Sequence, residues 1–154
     1  MRLLHALLAI AHALSSAAWF GSMFYSVIVL QPRAKAHFET DHAFEDFAAT
    51  LAHGARWKVL TAFAFVGITG ALLIFTARPE GRTAGWIVLI AAKAVLFFAA
   101  LAVFCFASWR LWPRRIFASP AELPAIQRQF RLVGFTLLTL VGLAFVLGIV
   151  ARFV

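Results

Sequence analysis

Four long apolar runs constrain this chain more than any other feature of its sequence. They cover about residues 3–30, 59–77, 84–107 and 132–151, and Lys93 is the only charged residue inside them. A helix of about 20 residues crosses the ~30 Å hydrocarbon core of a bilayer, whereas a β-strand needs about 10 and alternates in polarity. The runs do not alternate, so they predict four transmembrane helices.

The composition excludes an ordinary soluble domain. Hydrophobic residues make up 64% of the 154 residues and charged residues 13%, against roughly 45–50% and about 25% in soluble domains. A chain of this length cannot bury so much apolar surface within itself, and a single cysteine excludes an intramolecular disulfide framework. We therefore predict an all-α integral membrane protein, a four-helix bundle forming one transmembrane domain over residues 1–154, with the lipid bilayer as its partner.

The basic residues indicate how the chain crosses the membrane. The net charge is +8, but the lysines and arginines cluster in the breaks between apolar runs, a pattern typical of membrane topology rather than nucleic-acid binding. Nine of them fall on one side and four on the other. The positive-inside rule predicts a bacterial-type inner-membrane protein with both termini in the periplasm and these nine residues in the cytoplasm: Arg33, Lys35, Arg56, Lys58, Arg110, Arg114, Arg115, Arg128 and Arg131.

The stretches that connect the apolar runs indicate how the helices are arranged. The short stretch 78–82 predicts that the second and third helices are antiparallel neighbours. The longer stretch 31–56 predicts a short amphipathic cytoplasmic helix, lying on the membrane or extending the second span inward, because apolar residues recur at helical spacing at Phe38, Phe44, Phe47 and Leu51. No clear internal repeat is visible. Close helix contacts are predicted at Gly67, Gly70, Gly142 and Gly148.

Polar side chains follow one face of the first helix. Counting from His12 at helical intervals reaches His5, Ser15, Ser16, Trp19, Ser22, Met23 and Ser26. A polar face inside a membrane points towards protein rather than lipid. Two interpretations remain open, namely a helix interface in which His12 is hydrogen-bonded to a neighbouring helix, and a ligand-binding site.

Lys93 is the second unusual intramembrane residue. A lysine at mid-membrane costs at least ~2.5 kcal/mol, and no Asp or Glu lies within any of the four runs. The amine is neutral, lies in a wet cavity or pairs with an anionic ligand. With the termini outward, His12, Thr69 and Lys93 each lie ~10–12 Å below the outer surface. We predict an outward-opening pocket in which His12 and Lys93 face each other.

An imidazole inside a helical bundle is a natural ligand for copper or haem iron. The candidate cofactor-binding residues are His12, Lys93, Trp19 and Ser16, and the candidate metal ligands are His12, Met23 and His5. Soft copper ligands are few, which gives little support to a closed copper cage and leaves a relay of loose sites open. Haem b would take His12 as an axial ligand. No catalytic triad or paired intramembrane carboxylates occur, so the sequence does not favour an enzyme.

The motifs around these residues resemble known membrane families. His12 followed by Trp19-Phe20-Gly21 resembles the first core helix of the CopD-like family and of the related HemJ-like protoporphyrinogen oxidases, and Lys93 followed by Trp109–Arg114 resembles the CopD-like third helix. This likeness implies copper passage across the inner membrane or haem-dependent oxidation, in either case with His12 and Lys93 at the site. Phe104 and Cys105 stand where the oxidases have a histidine.

Copper handling is therefore the leading hypothesis. A haem b-binding redox protein is the second, and a non-catalytic membrane scaffold subunit is the third. Transport by a chain of only four spans would imply a homo-oligomer or a membrane partner.

Overall fold

Helices make up the whole described architecture. The computed structural model describes residues 2–77 and 83–153, and no strand occurs within these ranges. Four helical stretches are long and apolar enough to cross a membrane: Leu3–His37, Ala55–Thr76, Ala84–Ile116 and Leu123–Val150. This confirms the prediction of an all-α protein with four membrane-spanning helices. Their assembly into one bundle stays a prediction, and the predicted turn at 78–82 lies outside the described residues.

The chain divides into two compact units, Met1–Ala77 and Arg78–Val154. The first unit contains α1 (Arg2–Phe24), a π-helical turn π1 (Tyr25–Leu30), α2 (Gln31–His37), α3 (Asp41–Ala52) and α4 (Ala55–Thr76). Its two long helices, α1 and α4, pack against each other.

The π-helical turn π1 carries the first span past a proline. Pro32 has no N–H, and in a regular helix its ring would clash with the carbonyl group four residues earlier. The preceding N–H, that of Gln31, donates to the Ser26 carbonyl five residues back. This wider turn makes room for the proline ring. The first span therefore continues to His37 instead of ending near residue 30 as the apolar run suggested.

The outward face of α1 is aliphatic. Leu3, Leu7, Ile10 and Leu14 recur at helical spacing, and each is more than half exposed. They lie on the opposite side of α1 from His12. Large exposed apolar side chains in such a row are expected where a helix contacts lipid, which agrees with the bilayer as the partner of this chain.

The connection between the two long helices of the first unit contains α3. Thr40 caps this helix by accepting a 3.2 Å hydrogen bond from the Ala43 N–H, and Phe44 on its inner face is buried. Gly54, with φ of +70°, separates α3 from α4 through a left-handed conformation that suits glycine. The two helices are therefore separate, and whether α3 lies on the membrane surface stays a prediction.

The second unit contains α5 (Ala84–Phe106), a π-helical turn π2 (Ala107–Leu111), α6 (Trp112–Ile116) and α7 (Leu123–Val150). Thr83 caps α5 by accepting a 3.0 Å hydrogen bond from the Trp86 N–H. The long helices α5 and α7 pack against each other. The fourth span thus begins at Leu123, ahead of the apolar run that starts near residue 132.

The two units share a layout that the sequence alone did not reveal. In each, one polar residue of the first long helix precedes a Pro-Arg pair by 20 residues: His12 before Pro32 and Lys93 before Pro113. A π-helical turn directly precedes both Pro-containing segments. Lys93 therefore has the same place in the second unit that His12 has in the first.

Candidate functional site

Three side chains on α1, spaced seven residues apart, contact α4. His5 Nδ1 lies 2.9 Å from Thr76 Oγ1, and His12 Nδ1 lies 2.9 Å from Thr69 Oγ1. The Trp19 ring meets the Phe63 ring edge to face at a centroid distance of 4.3 Å. The face of α1 that the sequence identified as polar is thus the face that packs on α4.

The hydrogen bonds of Thr69, to the Phe65 and Val66 carbonyl oxygens and to His12 Nδ1, favour one tautomer of His12. Thr69 is 5% exposed, and its Oγ1 lies 2.8 Å from the Phe65 carbonyl oxygen of the preceding turn. A hydroxyl has one proton to donate and two lone pairs with which to accept. Because that proton goes to the Phe65 carbonyl, Oγ1 accepts from the Nδ1–H of His12. In a neutral imidazole Nε2 then carries the lone pair, as a metal ligand requires.

The same arrangement occurs again at His5. Thr76 Oγ1 lies 2.8 Å from the Leu72 carbonyl oxygen and accepts from His5 Nδ1 at 2.9 Å. Two imidazoles on one face of α1 therefore share one tautomer and one kind of support. Seven helical residues separate them by about 10 Å along the helix axis.

Gly70 leaves the space in which the His12 ring lies. A Cβ atom at this position would be 3.2 Å from His12 Cε1 and 3.7 Å from Nδ1. The first distance is tighter than an ordinary van der Waals contact, so any larger residue would press on the ring that Thr69 holds. This confirms the predicted close helix contact at Gly70.

Lys93 uses a glycine in the second unit in the same way. A Cβ atom on Gly148 of α7 would lie 2.6 Å from Lys93 Nζ and 3.4 Å from Cε, so the end of the lysine side chain lies against this glycine. The predicted contact at Gly148 is confirmed, and those at Gly67 and Gly142 stay predictions. That His12 and Lys93 face each other in one pocket also stays a prediction.

The other candidate residues of α1 differ in their surroundings. Ser16 and Met23 are half-buried, whereas Ser22 is exposed and donates to the Ala18 carbonyl of its own helix at 2.7 Å. Met23 lies eleven residues beyond His12, about 16 Å along the helix axis. That separation exceeds the combined reach of the two side chains, so they cannot bind the same ion within this unit.

The described ranges, 2–77 and 83–153, contain no group of three or more His, Cys, Asp and Glu side chains that could together hold a metal ion. A metal at His12 would thus rely on few protein ligands from these residues. Helical spacing predicts Thr69 at the depth of His12 but does not by itself single out Thr76. The sequence does contain an indication of Thr76, because Thr69 and Thr76 are seven residues apart on α4, as His5 and His12 are on α1.

Comparisons with known proteins do not indicate a function for this chain. No family model matches the chain, and no curated protein or solved structure is significantly similar to it. The likeness to the CopD-like and HemJ-like families is therefore a resemblance carried by the motifs around His12 and Lys93.

Proposed function

We propose that this chain is an inner-membrane protein that handles copper, with periplasmic termini and with the His12 imidazole as a copper ligand. The observation that carries the proposal is the hydrogen-bond chain from His12 Nδ1–H through Thr69 Oγ1 to the Phe65 carbonyl oxygen. Histidines that bind metals almost always donate their other ring N–H to a supporting acceptor, which fixes the tautomer and the ring orientation. Thr69 supplies this support to His12.

The second imidazole favours copper passage over a single fixed site. His5 has its own threonine support, and it lies about 10 Å from His12 along α1. Ion conduction requires sites weak and numerous enough for the ion to leave each one. Single imidazoles placed in series provide such sites, and imidazole is a suitable ligand for copper.

A haem b-binding redox protein is the second candidate, favoured by a different observation. The described residues offer His12 as a supported single ligand rather than as a member of a three-residue cluster. Haem iron takes four nitrogen ligands from its porphyrin and needs only an axial ligand from the protein. His12 would hold haem as its axial ligand, and haem would supply one-electron chemistry.

One set of measurements tests both candidates. The detergent-purified chain is examined by visible absorption and by copper(I) titration, together with His12→Ala and the matched control His37→Ala, which changes an exposed histidine of α2. Copper handling predicts a colourless protein whose stoichiometric copper binding is lost in His12→Ala and kept in His37→Ala.

The other outcomes contradict the copper proposal in distinct ways. A Soret band that disappears only in His12→Ala would establish haem instead. A colourless protein that binds no copper, or that loses binding equally in both variants, would leave the hydrogen bonds of α1 as a helix interface and favour the scaffold hypothesis.

A further inference from the structure

The connections of the two units differ sharply in charge. Residues 31–58 of the first unit hold four basic and four acidic residues, whereas residues 107–131 of the second unit hold five arginines and one acid, Glu122. That carboxylate already accepts hydrogen bonds from the Ser119 hydroxyl at 2.6 Å and from the Ser119 N–H at 3.0 Å. The connection of the second unit therefore presents a strong excess of positive charge.

Aromatic rings position one of these arginines. The Arg115 guanidinium carbon lies 4.9 Å from the centroid of the Phe130 ring and 5.8 Å from that of Trp112. The two rings contact each other edge to face at 6.0 Å. This contact joins α6 to the beginning of α7, and Arg115 of α6 lies against both rings.

The two helices that meet at this aromatic contact also carry exposed arginines. Arg114 precedes Arg115 on α6, and Arg131 follows Phe130 on α7. Arg128 lies one turn before Arg131, and Arg114, Arg128 and Arg131 are exposed. The guanidinium group binds phosphate oxygens through two parallel N–H groups, which the ammonium of lysine cannot do. The tryptophan is typical of the level where the lipid headgroups begin.

We propose that Trp112, Arg114, Arg115, Phe130 and Arg131 form a binding site for the phosphate group of an anionic lipid. The site is at the end of the membrane spans that the positive-inside rule assigns to the cytoplasm. Clusters of basic residues beside membrane helices on that side recognise anionic headgroups. This site is independent of His12 and of any metal.

The test compares lipid binding by two matched double variants of the full chain. Phosphatidylglycerol and phosphatidylcholine with identical acyl chains are titrated into the detergent-purified protein, and bound lipid is counted by native mass spectrometry. Arg114→Gln with Arg131→Gln alters the proposed site. Arg33→Gln with Lys35→Gln removes the same charge from the first unit, where Arg33 has the place that Arg114 has in the second.

The wild-type chain should retain phosphatidylglycerol in preference to phosphatidylcholine. Each arginine near a membrane surface contributes about fivefold to binding of anionic lipid, so the variant of the second unit should lose about 25-fold in phosphatidylglycerol affinity. The variant of the first unit should lose less than twofold. Helical circular dichroism and a monodisperse elution profile establish that both variants are folded.

Three outcomes would overturn the proposal. Equal retention of the two lipids by the wild-type chain would show that it has no preference for an anionic headgroup. Equal losses in the two double variants would show that overall charge, rather than this cluster, attracts the lipid. Displacement of phosphatidylglycerol by millimolar inorganic phosphate would show that the cluster binds a soluble anion.

Discussion

Replacing Thr69 by valine should weaken the α1–α4 interface by an amount set by one hydrogen bond. Valine keeps the shape of threonine but cannot accept from His12 Nδ1, which lies 2.9 Å from Oγ1. Hydrogen bonds between side chains of membrane helices average about 0.6 kcal/mol, with a maximum of about 1.7 kcal/mol. Because Thr69 is almost fully buried, water cannot replace the lost acceptor. We expect Thr69→Val to lower the free energy of unfolding by about 1–1.7 kcal/mol.

The assay is a double-mutant cycle with Thr69→Val and His12→Phe, measured by SDS-induced unfolding in mixed micelles. The coupling energy isolates the His12–Thr69 pair from the other effects of each substitution. Thr61→Val is the matched control, because Thr61 makes the same bond to its own helix, 2.9 Å to the Trp57 carbonyl oxygen, but is exposed. It should change the unfolding free energy by only a few tenths of a kcal/mol.

Two results would refute the reasoning. A coupling energy near zero would show that the contact contributes nothing to the interface. Nitrogen-15 spectra of the histidine-labelled protein in bilayers should show Nδ1 of His12 protonated and Nε2 unprotonated in the neutral ring. The opposite tautomer would mean that Thr69 donates to the ring, and the argument for Nε2 as a metal ligand would fail.

Two further predictions each concern one contact, the first at Gly70 in the first unit and the second at Glu122 in the second unit. Gly70→Ala should reduce stability and disturb ligand binding at His12, because its Cβ would press on the imidazole ring at 3.2 Å. Gly21→Ala is the control: a Cβ there would have nothing within 4 Å, so this variant should be neutral or stabilised by up to about 1 kcal/mol through helix propensity. Equal thermal stabilities of the two variants would contradict this prediction. The hydrogen bond from the Ser119 hydroxyl, and after it the one from the Ser119 backbone N–H, lower the pKa of Glu122. These bonds should therefore stabilise the turn fully above the ordinary glutamate pKa. Their stabilisation should be lost as the pH falls through the lowered pKa of Glu122 in the folded protein. A carboxyl NMR titration should show the low pKa, and Ser119→Ala should raise it towards normal; no movement in that variant would assign the shift to another cause.

The sequence was sufficient to predict the membrane-spanning helices and to identify the face of α1 that packs on α4. Both follow from hydrophobic pattern alone, since a run of apolar residues and a stripe of polar ones are properties of a single helix. The helices extend beyond the apolar runs, and the predicted bounds of the spans stay predictions. Apolar runs stop at the first charged residues, but α2 and α6 carry the helices onward past Pro32 and Pro113.

The partners of the site residues could not be read from the sequence. Which residue of α4 stands opposite His12 depends on how far the two helices slide along each other, and many apolar faces are compatible with several registers. The threonines at 69 and 76 fix one register by matching the spacing of the two histidines. The matching spacing is visible in the sequence, but only the packed helices show which register it selects.

The common plan of the two units gives the chain a freedom that a symmetric assembly lacks. In a pair of identical subunits, every change to one half is imposed on the other. Here the halves are joined in one polypeptide, so one copy of a position can hold an imidazole while the other holds an amine, as at His12 and Lys93. Likewise, one connection holds four acidic residues, whereas its counterpart holds five arginines and one acid. Because both units belong to one chain, each can carry a different polar side chain at the same place in its layout.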